Sequence, residues 1–410
     1  MPGPLSHVRV LDLSRIMAGP WAGQILADLG ADVIKVERPG AGDDTRTWGP
    51  PFLKDRDGTE TKDAGYYLAV NRGKRSITLD LDKPEGQAIV RELARRADIV
   101  LENFKVGTLA RFGLDYDSLL EVNPRLIYCS ITGFGQTGPK RDHAAYDFMI
   151  QAMGGLMSVT GEPDGVPGGK PQKVGVPITD IMTGMYGVIA VLAALARRSE
   201  TGRGDYIDIG MLDVQVSFLA NQAMNYLISG KPPRRTGNAH PNIQPQDVFA
   251  ASDGHLVLVV GNDGQFAKCA EAMGRPELGT DPRFARNSGR VVNRAELTAI
   301  IAGILAGKPL AHWLAVFEAA GVPAGPINTV PMVFEDAQVK HRGMLIEVAH
   351  PVAGHVPQVA SPMRFREAAI SYDRPPPLLG EHTREVLAEI GWAAAEPHDD
   401  DKNSNPRRTT

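Results

Sequence analysis

Cysteine is nearly absent. Cys129 and Cys269 are the only two in 410 residues, and each sits inside an apolar pattern. That excludes a disulfide framework or a metal knuckle and fits a reducing compartment. Aromatic residues are sparse at 6%. The longest apolar run, residues 181–196, is broken by Gly184 and Gly187 and falls short of the roughly 20 residues that cross a bilayer, so a buried helix and no membrane partner are expected. The formal charge of -4 leaves no global attraction for nucleic acid or anionic lipid. His143, His240, His255, His312, His341, His350, His355 and His382 lack ligand spacing, which argues against zinc. No G-x-S-x-G nucleophile elbow occurs. Met1 runs into a strand-like His7-Val8-Arg9-Val10-Leu11 with neither an apolar secretory core nor an Arg-rich leader, so a cytoplasmic protein is expected.

What is abundant is glycine (44) and proline (31) in a chain that is 43% hydrophobic, long enough for two domains and a large core. Strand-like segments at 7–13, 31–37, 75–81, 98–102, 125–131 and 206–209 alternate with helical patterns at 20–29, 84–97, 146–157 and 178–198. Such alternation predicts an α/β fold with a large doubly wound parallel sheet, Rossmann-like in layout. A further helix is expected over 211–228. Residues 1–228 are read as the large domain, completed by 344–392. Linkers and a smaller α/β domain take 229–343, and the polar end, 393–410, reads as a disordered tail.

Asp180 stands alone where chemistry would need a carboxylate, in Val176-Pro177-Ile178-Thr179-Asp180, directly before the long apolar helix. There it meets the positive end of the helix dipole and free backbone N–H groups, which favours the ionised form by about 0.3–1 kcal/mol. The expectation is a residue held as a carboxylate. Gly184 and Gly187 share its face, leaving a strip that a ligand or a second helix can approach. A capping acid with packing glycines explains the same residues without chemistry.

The turn after the first strand, Ser14 to Gly23, lacks G-x-G-x-x-G, which argues against a nicotinamide or flavin dehydrogenase. Basic residues instead gather at loops: Arg15, then Arg38 and Arg46 beside glycines, then Arg72, Lys74, Arg75, Lys105, Arg111, Lys140 and Arg141. Guanidinium groups pair well with phosphate oxygens, so a phosphorylated ligand is one reading and solvated surface charge the other. Glycine-rich loops at Gly133-Phe134-Gly135-Gln136-Thr137-Gly138 and Gly261-Asn262-Asp263-Gly264 fit anion cradles, lids or simple turns.

Several segments together resemble the class III coenzyme A transferase family, also called CaiB/BaiF. They are Leu11-Asp12-Leu13-Ser14 with Ala18-Gly19-Pro20, residues 29–37 and 71–80, Glu102-Asn103-Phe104, Asn123-Pro124-Arg125, the 133–139 loop, Tyr146-Asp147, and residues 321–328 and 377–383. The resemblance runs from about residue 5 to 392. It implies a doubly wound domain with a smaller one, an interlocked homodimer, and no permanently bound cofactor, coenzyme A thioesters being substrates. It implies that Asp180 is the nucleophile and that Arg15, Met17, Ala18, Arg38, Leu79, Asn103, Phe104, Lys105, Arg111, Tyr146 and Asp147 contact CoA. The chain departs from the formyl-transferring members at Arg15 for histidine, Met17 for glutamine and Asp82 for lysine.

The stretches 42–52 and 374–380 are similar to those of members that move CoA from succinyl-CoA to glutarate, implying a dicarboxylate acceptor. Covalent catalysis through an aspartyl anhydride and an aspartyl-CoA thioester is then expected. Gly261–Gly264 is the candidate lid, and Arg46, His240, Gln244 and Gln246 are candidates for the acceptor's distal carboxylate. Two alternatives remain. An α-methylacyl-CoA racemase would need a histidine where Tyr146 stands, with His143 the local substitute, and a CoA-ester binding protein would need no turnover.

Overall fold

The computed structural model describes residues 2–392; the expected tail, 393–410, lies outside the described residues. The chain forms two compact units, one comprising Met1–Gly154, Val176–Phe218 and Arg342–Thr410, the other Gly155–Gly175 and Leu219–His341. The sequence reading keeps 155–175 in the large domain. In the structure this segment is tied to the second unit, with the Gly237 N–H donating to Gly161 and Arg235 bonding Glu162 and Asp164.

In the first unit, six parallel strands form one sheet: β1 (Arg9–Asp12), β2 (Asp32–Glu37), β3 (Lys74–Thr78), β4 (Ile99–Glu102), β5 (Ile127–Thr132) and β6 (Asp205–Gly210). Their spatial order is β3-β2-β1-β4-β5-β6. Chain order reverses between β1 and β4, so the crevice beyond their carboxyl ends is where an open α/β sheet takes a ligand. Adjacent residues serve opposite faces. Leu11, Ile34, Val100 and Tyr128 pack with Ile89, Val90 and Leu93 of helix α2 (Pro84–Arg96) on one side. Val10, Val33, Ile99, Leu101 and Cys129 pack on the other with Ala22 and Leu26 of helix α1 (Ala18–Asp28). Both faces are covered, and the central strands β4 and β5 read as largely apolar runs, whereas β3 buries Lys74, Arg75 and Ser76.

Helix α3 (Asp147–Met153) precedes helix α4 (Ile178–Thr201), which packs Val188, Val191 and Ala194 onto the same core as α1. A Cβ on Gly184 would lie 2.5 Å from the Ala18 carbonyl oxygen, and one on Gly187 would touch Ile131 and Cys129. The side-chain-free strip therefore receives a neighbouring helix and the sheet, not a ligand. Contrary to the estimate from residues 181–196 alone, α4 has 24 residues and is by length and composition apolar enough to cross a membrane, with a mean hydropathy of 1.8 over an 18-residue stretch of it. The helix expected over 211–228 is broken: Met211–Ser217 and Ala220–Ser229 are separate, and Ala220 has φ +46°. A left-handed alanine interrupts the i to i−4 ladder without leaving any mark on the apolar pattern. The boundary between the units falls at this break.

The late segment returns to the first unit as a hairpin, Leu345–His350 with Gly354–Val359, and a helix, Thr383–Glu389, whose Val386 joins the core under β3. The second unit has an antiparallel sheet in the order Ala324–Pro326, His255–Val259, Gln246–Ala250. Helices Asp263–Ala272, Arg294–Leu305 and Leu310–Ala320 bury Phe266, Leu297 and Phe317 in its core.

Candidate active site

Helix α4 begins behind Pro177, which offers no side-chain cap. The cap comes from α3. One oxygen of Asp147 accepts from the backbone N–H of Thr179 at 2.8 Å and of Asp180 at 3.1 Å, while Gln151 Nε2 donates to the other. The Thr179 hydroxyl donates to Gln215 Oε1 at 2.8 Å, and its carbonyl accepts from Thr183 at 2.6 Å. The first turn is thus fixed, and Asp180 leaves it towards a cavity.

Burial, and after it the Asp147 carboxylate, push the Asp180 carboxyl up to about 7. This overturns the expectation of a dipole-stabilised carboxylate. The N–H groups that would favour the ion are engaged by Asp147, and desolvation plus a like charge outweighs a dipole effect of about 0.3–1 kcal/mol. Asp180 therefore changes charge near neutrality. Tyr66 lies beside both acids: burial, Asp180 and Asp147 push its hydroxyl up to about 12, and Trp48 packs edge-on against its ring with centroids 5.3 Å apart. Sequence reasoning missed this aromatic pair, which has no spacing signal.

The cavity at Asp180, about 180 Å³, is lined by Arg15, Met17, Ala18, Asn103, Phe104, Lys105 and Tyr146, with Arg141 and His143 from the glycine-rich loop. A second cavity, about 420 Å³, is lined by Arg38, Leu79 and Arg111 and again by Arg15 and Phe104. Those two shared residues make the cavities neighbours. Every residue implied by the resemblance except Asp147 lines one or the other, whereas Asp147 turns to the helix. Arg38 and Arg15 both bond Asp44, at 2.7 and 3.0 Å, which orients two guanidinium groups at the rim. Leu79, Phe104 and Phe112 supply apolar wall beside Arg111. Cationic rim and apolar floor suit a flat heteroaromatic base carrying phosphates. Phe112 and Thr108 escaped the sequence reading because it followed the charges of that loop and not the residues between them.

Three candidates for a distal carboxylate do not fit. Arg46 is buried, with Nε and Nη2 each 2.8 Å from Glu37, Nη1 2.6 Å from Asp63, and Nη2 also reaching the Tyr67 hydroxyl and the Pro377 carbonyl. The side chain lines neither the cavity at Asp180 nor the second one. Gln244 is buried too, donating to Thr298 and accepting from Arg294. His240 Nδ1 accepts from the Asn242 N–H, and burial followed by Arg294 lowers its pKa. Gln246 opens the strand Gln246–Ala250 of the second unit. Within that unit, Gly261–Gly264 forms a helix entry: Asn262 caps Gln265, and Asp263 is held by Arg290 and Arg286.

The family model for "CoA-transferase family III" matches residues 5–383. A protein of Agrobacterium fabrum named succinate–glutarate CoA-transferase is 52% identical over 94% of this chain and 96% of its own length. The mouse succinyl-CoA:glutarate CoA-transferase is 46% identical over 94% of this chain and 86% of its own length. A crystal structure of a CaiB/BaiF family protein from Brucella suis, 52% identical, superposes with a TM-score of 0.83 over 95% of this chain and 100% of its own. The chain belongs to CoA-transferase family III and is an enzyme of that class, acting on CoA thioesters.

Proposed function

We propose that the enzyme moves CoA from succinyl-CoA to glutarate or a similar dicarboxylate, with Asp180 as the covalent carrier. The observation that carries this reading is the opening of Asp180 onto a cavity that shares Arg15 and Phe104 with a second, arginine-rimmed one. The nucleotide of CoA would lie at Arg38 and Arg111, and the thioester would reach Asp180. The names of the relatives supply the donor and acceptor.

In this reading an ionised Asp180 oxygen attacks the thioester carbonyl of succinyl-CoA, the C–S bond breaks, and CoA leaves as thiolate from an aspartyl–succinyl anhydride. The thiolate attacks the aspartyl carbonyl, releasing succinate and leaving an aspartyl-CoA thioester. Glutarate attacks that carbonyl and expels the thiolate. The thiolate then attacks the glutaryl carbonyl, giving glutaryl-CoA and free Asp180. Each step exchanges one activated acyl group for another, so the thioester free energy is conserved. Arg141, on the wall of the Asp180 cavity, is the cation assigned to the acceptor's distal carboxylate.

The homodimer is proposed too. Met185, Tyr186, Ile189 and Leu192 of α4 are exposed. Met185, Ile189 and Leu192 border an apolar groove of about 840 Å³ within the first unit, a surface that a monomer would leave wet. Interlocking stands as a proposal from the resemblance, and a cytoplasmic location as one from the scarcity of cysteine.

An acyl-exchange screen of succinyl-CoA against glutarate, shorter and longer dicarboxylates and monocarboxylates, read by mass spectrometry, tests the assignment. Glutaryl-CoA should form fastest, and Arg141→Ala should lose most of that preference. Equal rates with monocarboxylates would refute it. A racemase reading keeps one observation, His143 on the same cavity wall; deuterium entering the α-carbon without acyl exchange would favour it.

A pH profile tests the electrostatics. The acid limb of kcat/KM should have its midpoint near 7, because the nucleophile must be ionised. Asp147→Asn keeps an oxygen to accept from the helix but removes the like charge, so the midpoint should move to lower pH. An unmoved midpoint would show that Asp147 does not set it.

A further inference from the structure

The chain between β1 and α1 runs along the wall that the two cavities share, since Arg15 lines both and Met17 and Ala18 line the one at Asp180. Ile16 has φ +73°. A β-branched side chain in the left-handed region is a strained state that persists only where its surroundings impose it. Here the surroundings are side chains that hold the backbone group by group. The Ser14 N–H donates to Asp12 at 2.9 Å, and the Ser14 carbonyl accepts from Lys35 Nζ at 2.8 Å. Asn103 engages both polar groups of one peptide residue: its Oδ1 accepts from the Arg15 N–H at 2.9 Å and its Nδ2 donates to the Arg15 carbonyl at 2.7 Å. The Ile16 N–H donates to the Asp43 carboxylate, 3.2 and 3.3 Å from its oxygens. Asp43 is fixed in turn by Lys35 at 2.9 Å and by the Thr45 N–H and hydroxyl at 3.0 and 2.8 Å.

The Asn103 amide thus commits its oxygen and one of its two N–H groups to the Arg15 backbone. We propose that Asn103 and Asp43 are positioning residues that force the Arg15–Met17 turn into its strained conformation and so align the wall between the nucleotide end and the reacting end of the CoA ester. Asn103 acts on the substrate through the backbone of another residue. The proposal rests on the reading that the two cavities hold the CoA ester.

Asn103→Ala tests it, because removing Asp43 would strand the buried Lys35. Loss of the clamp should lower kcat by about a hundredfold, the scale of a 1 Å misplacement. Affinity for free CoA, measured by calorimetry, should change by less than about threefold. Without its clamp Ile16 relaxes out of the left-handed region, so adding Ile16→Gly, which tolerates positive φ, should restore part of kcat. A fall in CoA affinity matching the fall in kcat/KM, with no rescue by Ile16→Gly, would overturn the proposal and make Asn103 a ligand contact. Should Asn103→Ala fail to fold, Asn103→Leu carries the same comparison, since it keeps nearly the same volume, adds no charge and loses both bonds to the Arg15 backbone. Arg38→Ala and Arg111→Ala form the separate arm: if neither weakens CoA binding, the cavity reading fails first and takes the clamp with it.

Discussion

Asp180→Asn is expected to abolish acyl transfer, by at least about 10³-fold, while raising the melting temperature at pH 8. Both effects follow from one carboxyl. A covalent carrier cannot be replaced by an amide, and losses of this order or larger accompany removal of a nucleophile. The stability gain follows from the shift to about 7 caused by burial and Asp147. Below the ordinary carboxyl value near 3.8 both folded and unfolded chains carry the proton, and the native state is not penalised. As pH rises through 7 the folded protein must ionise an acid that its surroundings hold protonated, and stability is lost. The amide removes that loss, so the gain should be present at pH 8 and absent at pH 4. Calorimetry at the two pH values, with hydroxylamine trapping of a modified Asp180 in the wild type, checks both halves. Full activity in Asp180→Asn would end the covalent scheme, and equal melting shifts at both pH values would end the electrostatic one.

The second large effect is expected at Arg46, and it is one of stability. Arg46→Met strands Glu37 and Asp63, which its guanidinium holds in the interior beneath the Tyr67 ring, 3.7 Å from guanidinium carbon to ring centroid. Breaking a buried pair by removing one partner typically costs about 3–5 kcal/mol, because the abandoned charge remains. Burial raises the Glu37 carboxyl, and the hydrogen bonds and charge of Arg46 outweigh it, leaving Glu37 below its ordinary range. In the variant the upward push of burial is opposed only by Lys35 and Ser76, so the Glu37 carboxyl should rise and the deficit should shrink as pH falls and Glu37 takes a proton. Urea denaturation at pH 8 and pH 5 reads both. Glu37 also accepts from the Asp43 N–H at 2.9 Å, so kcat should fall with stability. An unchanged urea midpoint would mean that the cluster relaxes without loss.

The six strands of the large sheet were legible because turn residues bound them and the central ones, β4 and β5, are apolar runs buried on both faces, and all six fall in the expected places. Asp180 drew attention by its position at the start of α4, and its proposed role as nucleophile came from the resemblance to the family. Its ionisation was not. Asp147 lies thirty-three residues away and reaches the helix only through the fold. Arg46 misled for a related reason: beside Gly42 it looked like a free cation in a loop, yet three of its partners, Glu37, Asp63 and Pro377, come from distant points of the chain. The helix break at Ala220 left no trace, since the apolar spacing continues across it. Composition and periodicity report local preference and burial; they do not report which polar group meets which.

The arginines that secure the large sheet draw on the last tenth of the described chain. Arg46 needs the carbonyl of Pro377, Arg72 needs Gln358 and Val359, and Arg75 needs Glu385 and Glu389. A nascent polypeptide leaves the ribosome with that edge of the sheet made and each arginine holding only its early partners, Glu37 and Asp63 for Arg46, Asp28 for Arg72 and Asp32 for Arg75, for the time it takes to translate some 280 further residues at roughly 5–20 per second. Premature termination before the final helix therefore leaves Arg75 with one of its three carboxylates.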